Sequence, residues 1–469
     1  MISAFSIAVM LSASAVDGAD VPGLSSNATA QQRRLGRILV GRSERVRTAT
    51  LQQLAASNDR SRVTASIVIE AARCFLDELE SDDELPSSLP VWWAMIAEFP
   101  WPDAADFLAT AADHEHRLCS QIAIDELGQQ RRQDGVDAIK AQISRAEFRT
   151  HYGYRFSLIR ALVRIGNRDC VAALRELQTQ LDGQLRHEIA AQLVTLDASD
   201  SEAQSINATT EVSNEAEPVA FEDLWLPNAE KPANANSVKG PLLSVGDESS
   251  AIDDRTASES KSQAMSTDSS PRLVETVDYR SESNAQRPRL ASPKQYYGID
   301  LTAMRMLFVI DRSGSMGKGS GSATKLESAK AELIQAIISL DSNAEFSILI
   351  YDTVITPWRS DLQPATEMNK REAVTFVQRL TPGSRTNTHG ACLAAFDYDS
   401  SLETVFVLTD GQPTEGKLKQ PAAIVADVAA KNRYRHLRFH TIGIGVSGPT
   451  KMFLRELASS TAGEFRDVE

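Results

Sequence analysis

Four short apolar runs constrain this chain more than any other feature: Met304–Ile310, Glu345–Tyr351, Thr404–Thr409 and Arg438–Ile444. Helical patterns alternate with them at Lys325–Leu340, Lys370–Leu380, Ala391–Phe396, Pro421–Lys431 and Lys451–Ser459. Strands that lack polar alternation are buried on both faces, and strand–helix alternation predicts a mostly parallel sheet covered by helices on both sides. A weaker run at Val354–Trp358 follows Tyr351 too closely for a crossover connection. It is therefore expected as an antiparallel edge strand.

The first run ends in Asp311-Arg312-Ser313-Gly314-Ser315. One carboxylate and two hydroxyls at alternate positions thus enter a loop at a strand's carboxyl end, the edge where open α/β sheets bind ligands. All three are hard oxygen donors, suited to Mg²⁺ or Mn²⁺ rather than Zn²⁺. Taken alone, the pentad reads equally as a helix N-cap, for which Asp and Ser are preferred. Two later segments add to it. Thr386 lies in the turn Pro382–Thr388, and Asp410 ends the run Thr404–Thr409 just before Gly411. If the strands are parallel, a further hydroxyl and a second carboxylate reach the same edge.

This pattern resembles the von Willebrand factor type A domain and its metal-ion-dependent adhesion site, over about the last third of the chain. The resemblance implies a doubly wound, Rossmann-like α/β domain with metal ligands at Asp311, Ser313, Ser315, Thr386 and Asp410, each of the expected residue type. It implies bound Mg²⁺ or Mn²⁺, with Ca²⁺ as a further candidate, and a partner protein whose Asp or Glu completes the coordination. It also implies movement of the last helix as the ion exchanges ligands. Two carboxylates and three hydroxyls neutralise little charge, which would leave the ion electrophilic toward that acid. Lys318, Lys325 and Arg385 flank this edge and read either as attraction for an acidic partner or as solvated surface charges. Gly314, Gly317, Gly319 and Gly321 make the first loop flexible.

The amino-terminal half reads differently. From 31 to 198, apolar residues recur at three and four spacing, as in Leu158, Ile159, Leu162, Val163 and Ile165, and again in Leu185, Ile189, Leu193 and Leu196. Helix pairs with short breaks resemble HEAT-type repeats, an α-solenoid with a surface for a second partner; a compact helical bundle is the alternative. Asp113-His114-Glu115-His116 is the only cluster of metal-capable side chains there. Adjacent helical residues face different ways, so it is expected to be a solvated helix start.

Residues 199–295 are rich in Ser, Asn, Ala and acids and carry roughly half of the net negative charge. Such a composition predicts a disordered, self-repelling linker, long enough to let two modules grip one assembly. Phe221–Pro227 interrupts it as a docking motif or a segment that folds back. The type A domain is then expected over 296–469. Residues 1–30 form a leader whose apolar run Ala4–Leu11 and small residues suit a signal peptide, without the basic start one requires. Secretion or periplasmic export is expected on that ground, with cytoplasmic residence as the alternative. Sequons stand at Asn27 and Asn207.

A net charge of −14 argues against a nucleic-acid partner, and no run reaches the ~18 apolar residues of a membrane span. The four cysteines form no C-x-x-C and read as buried thiols. Gly443–Gly448 matches G-x-G-x-x-G, but so near the end of the chain it is expected to lack the following strand of a dinucleotide-binding unit. Aspartyl phosphotransfer or hydrolysis at Asp311 wants a second acid where Ser313 stands. Cys392 with His389 lacks an orienting third residue. The expectation is a non-enzymatic, metal-dependent interaction protein. An intracellular adaptor or co-chaperone subunit of a separate AAA+ ATPase complex is the rival.

Overall fold

The computed structural model describes residues 29–207 and 294–469, apart from 42, 58, 82 and 320–322. Residues 1–28 of the expected leader and 208–293 of the expected linker, with Phe221–Pro227, lie outside the described residues.

The first region is helical throughout. It comprises α1 (Ala30–Val40), α2 (Glu44–Ser57), α3 (Arg62–Glu78), α4 (Leu89–Ala97), α5 (Pro102–Ala112) and α6 (Arg117–Gln129), then the short α7 (Val136–Ala141) and α8 (Ala146–Thr150). α9 (Tyr152–Ile165), α10 (Arg168–Gln180) and α11 (Gly183–Asn207) follow. Their starts carry local signals. Thr29 and Gln32 make a reciprocal capping box on α1, while the Ser61 and Asn167 side chains accept from backbone amides of α3 and α10. Gly166, at φ +64°, closes α9 in the left-handed conformation. Packing runs between near neighbours: α1 on α3, α3 on α5, α2 on α4, α4 on α6, then α6 on α9 and α10 on α11. One core links them from Leu35 to Leu193, with Trp92, Trp93 and Phe107 fully interior. The expected boundary at 198 falls inside α11, which continues to Asn207.

The Asp113–His116 cluster stands at a helix start with Asp113 and Glu115 exposed, as expected, but His116 is not solvated. His116 is buried, its Nδ1 accepts from the Cys119 amide at 3.2 Å, and its Nε2 lies 3.0 Å from the Asp83 carbonyl. It caps α6, and desolvating the ring is offset by those two hydrogen bonds.

The second region opens with the hairpin β1 (Gln295–Tyr296) and β2 (Ile299–Asp300). Its sheet holds β3 (Arg305–Asp311), β4 (Glu345–Tyr351), β5 (Ile355–Pro357), β6 (Gln363–Pro364), β7 (Thr404–Thr409), β8 (Arg438–Ile444) and β9 (Phe465–Val468), in the order β5-β4-β3-β7-β8-β9, with β6 also on β4. β4, β3, β7, β8 and β9 run parallel, and β5 is the expected antiparallel edge. The chain leaves β3 toward β4 and later returns on β3's other side as β7. The reversal of strand order lies between β3 and β7.

Side chains alternate strictly across the central strand. Met306, Phe308 and Ile310 meet α12 (Lys325–Ser339) and α13 (Glu367–Gln378) on one face. Leu307 and Val309 meet α14 (Thr388–Tyr398), α15 (Pro421–Asn432) and α16 (Gly448–Ser459) on the other. β9 corrects the expectation that no strand follows Gly443–Gly448, since α16 and β9 complete a βαβ unit with β8. The space beside Gly445 is nevertheless filled by the Lys325 side chain, and Asp467 pairs with Lys451 at 2.5 Å.

The two regions pack directly on each other, a contact that the sequence did not announce. α9 and α11 meet the amino-terminal ends of β3, β7 and β8. The Tyr152 amide donates to Ser400 O at 3.0 Å, and Ser400 Oγ donates to Thr150 O at 3.0 Å. Gln121 Nε2 reaches Tyr434 O at 2.7 Å, Ser157 Oγ lies 3.1 Å from His436 Nε2, and Thr404 Oγ1 donates to Gln184 at 3.0 Å. Arg438 pairs with Glu188. The opposite edge, at the carboxyl ends of the strands, is left to the candidate site.

Candidate functional site

Asp311 ends β3 and Asp410 immediately follows β7, so the parallel register Ile310↔Leu408 brings both carboxylates to the point where strand order reverses. Asp311 is fully buried. Its Oδ1 accepts from the Ser313 amide at 2.7 Å and its Oδ2 from Thr409 Oγ1 at 2.5 Å. Ser313 Oγ lies 3.1 Å from Ser315 Oγ, which donates to Asp410 Oδ1 at 2.6 Å. Lys325 Nζ binds the other oxygen, Asp410 Oδ2, at 3.0 Å. Asp311, Ser313, Ser315 and Asp410 therefore form one hydrogen-bonded series, joined at Asp311 through the Ser313 amide and closed at the other end by an ammonium.

Thr386 is brought to this edge through its backbone. Its amide donates to Thr414 Oγ1 at 3.0 Å, and its carbonyl accepts from Thr414 and Glu415 amides at 2.9 and 3.1 Å, which ties its loop to the one after Asp410. On the other side the Gly314 amide donates to Ser384 O at 2.8 Å. Asp352 fixes the loop from below: its carbonyl accepts from the Asn387 amide, its side chain from the Val354 and Ser384 amides, and it pairs with Arg312 at 3.0 Å. A Cβ on Gly383 would collide with the Asp352 carboxylate, so only glycine admits this approach. The Thr386 hydroxyl stays outside the hydrogen-bonded chain.

Burial, with a smaller contribution from nearby Asp410, pushes the Asp311 carboxyl up to about 6. A buried carboxylate beside a second one is costly unless positive charge meets it, so this donor set fits a cation. The fit is for a hard, oxygen-preferring ion, because the side-chain groups gathered here are carboxylates and hydroxyls. Among the described residues no three His, Cys, Asp or Glu side chains gather as a metal cluster.

Sequence reasoning passed over Thr409 and Asp352 and treated Lys325 only as a flanking charge. Thr409 was visible as the residue before Asp410; Asp352 had no motif to mark it. Arg385 pairs with Glu415 at 3.1 Å and so joins the Thr386 loop to the one after Asp410. Cys392 is fully buried, its thiol pushed up to about 12 by burial, and His389 Nε2 pairs with Asp427 at 3.0 Å.

Residues 304–467 match the family model described as von Willebrand factor type A domain. The carboxyl-terminal region is a type A-like α/β domain. Human inter-alpha-trypsin inhibitor heavy chain H4 is 28% identical over 182 residues, 36% of this chain and 19% of that protein. Human von Willebrand factor A domain-containing protein 3B is 31% identical over 159 residues, 34% of this chain and 11% of its own. Heavy chain H2 from Sus scrofa is 27% identical over 176 residues, 35% of this chain and 18% of that protein. The chain thus spans less than a fifth of the length of these relatives, and the similarity covers about a third of its own. Among the described residues no helix is long and apolar enough to cross a membrane.

Proposed function

We propose that this chain is a metal-dependent protein-interaction module in which Asp311, Ser313, Ser315, Thr386 and Asp410 hold a Mg²⁺ or Mn²⁺ ion, directly or through water. The observation that carries this reading is the hydrogen-bonded series from Asp311 to Asp410 at the reversal point of the sheet. When bound, such an ion supplies an electrophilic position for an oxygen ligand from outside, and a partner's Asp or Glu is the ligand of matching charge and hardness. Asp311 and Asp410 would fix the ion's place, Ser313 and Ser315 would add neutral oxygens, and the loop pinned by Asp352 would present Thr386.

Similarity to the inter-alpha-trypsin inhibitor heavy chains, which are subunits of an inhibitor by name, supports interaction rather than catalysis. So does the side chain of Cys392, too deeply buried to act as a nucleophile. The helical region, docked away from the metal edge, would act as a scaffold offering a second surface.

The test is affinity capture from host extract with the full chain, run in Mg²⁺ and in EDTA, beside Asp311→Ala. The reading expects a bound set that needs both the ion and Asp311. The same captured set in all three conditions would overturn it.

A further inference from the structure

We infer that Lys325 is a built-in counter-cation of the candidate site: it holds Asp410 in place when no metal is present and must be displaced from Asp410 Oδ2 for a metal to bind fully. This rests on the metal-binding reading above and adds to it a resident competitor within the same chain.

Three features place the ammonium there. Lys325 opens α12, whose N-cap Thr324 accepts from the Glu327 amide, so the helix start is fixed in register. The Lys325 amide also donates to Lys318 O at 3.0 Å, tying the helix start to the residue after the turn Gly314–Gly317. Its side chain then crosses toward β7 and ends 3.0 Å from an Asp410 carboxylate with no exposed surface. Space for it is provided by Gly445, at φ +57°, immediately after β8. A Cβ there would sit 3.2 Å from Lys325 Cε and 3.3 Å from Nζ. Glycine thus satisfies both the left-handed backbone and the passage of the lysine.

The charge balance gives this arrangement its consequence. Asp311 and Asp410 share one hydrogen-bonded chain, and without a cation their repulsion acts in a poorly solvated place. One ammonium on Asp410 offsets it and keeps Ser315 donating to Oδ1. A divalent ion brings more charge and needs the same carboxylate, so its net affinity is the difference between the two interactions. Lys325 then sets the metal concentration at which the site switches from a closed internal ion pair to an open, partner-accepting state.

The experiment uses the full chain and three variants: Lys325→Met, which keeps the aliphatic stem, Asp410→Asn, and the two together. Thermal unfolding is followed in EDTA, and Mg²⁺ and Mn²⁺ binding by calorimetry. Lys325→Met is expected to lower the unfolding midpoint in EDTA by several degrees and to tighten metal binding by roughly tenfold, the scale of a partly buried ion pair. Saturating Mg²⁺ should erase the difference in midpoint. On the Asp410→Asn background, Lys325→Met should change little, because its partner is already neutral. Unchanged metal affinity together with additive midpoints would overturn the inference. If neither the parent chain nor Lys325→Met takes up metal, the metal reading fails, and the EDTA cycle alone decides: coupling between the two positions supports the counter-cation, and additivity removes it.

Discussion

Replacing Gly153 by alanine should destabilise the protein, although alanine is the better helix former. Gly153 is the second residue of α9, and helix propensity alone favours Gly→Ala by up to about 1 kcal/mol. A Cβ at this position would lie far inside contact distance of the Tyr434 carbonyl. It would also stand 3.0 Å from Arg435 O and 3.1 Å from Arg435 Cα. These are backbone atoms and cannot swing aside, so α9 must retreat from the α/β domain. The retreat loosens three hydrogen bonds around the contact: Tyr152 N to Ser400 O, Gln121 Nε2 to Tyr434 O, and Ser157 Oγ with His436 Nε2. At about 1 kcal/mol for each bond, the loss is about 3 kcal/mol, and it exceeds the propensity gain. The assay is urea unfolding of the full chain with hydrogen exchange at the Tyr152 amide. Gly448→Ala, where a Cβ would meet nothing within 4 Å, serves as the control. A Gly153→Ala protein as stable as the parent, with the Tyr152 amide still protected, would refute the docking described here.

Further outcomes follow from other residues. Gly383→Ala, which drives a methyl into the Asp352 carboxylate, should shift the Thr386 loop and weaken Mg²⁺ binding severalfold in a calorimetric titration, with the sheet intact by circular dichroism. Burial pushes the Glu403 carboxyl up to about 7, against opposing effects of the Met304 amide, Arg155 and Arg305. Between the ordinary carboxyl value of 4.5 and about 7 the folded state keeps a proton that the unfolded state has released. Stability from this group therefore falls as pH rises through that window, and Glu403→Gln should flatten the slope in unfolding measured from pH 4.5 to 8. Cys119 and Cys392, both buried and both pushed up to about 12, should resist iodoacetamide in native protein and react once it is unfolded.

Much of the sheet was legible because its strands bury both faces, and a run such as Met306–Ile310 then has no other plausible state. The Asp311–Ser315 oxygens were legible for a related reason: three donors of one chemistry at alternate positions after a strand point to one edge. β9 was not legible, since Phe465–Val468 is four residues long with Arg466 and Asp467 inside it, and its pairing with β8 is a tertiary matter. The docking of the two regions was hidden for a different reason. Many of its contacts are made by Gln121, Ser157, Gln184, Glu188 and His436, polar residues that add nothing to a hydrophobic periodicity. The acidic stretch after 198 suggested modules held apart by a tether, whereas α9 and α11 lie against the strand ends. Lys325 looked like any surface lysine until the fold carried Gly445 and Asp410 to either side of it. His116 misled because a buried capping histidine and an exposed one look alike in sequence; only the Asp83 carbonyl distinguishes them.

The central claim is that the oxygen groups between Asp311 and Asp410 hold a divalent cation. Calorimetric titration of the full chain with Mg²⁺ and Mn²⁺, beside Asp311→Ala and Ser313→Ala, tests it most directly. The account predicts saturable binding at one site in the parent chain, abolished in Asp311→Ala and weakened in Ser313→Ala, with all three proteins folded. A folded parent chain that gives no heat with either ion, with or without an acidic peptide present, would contradict it.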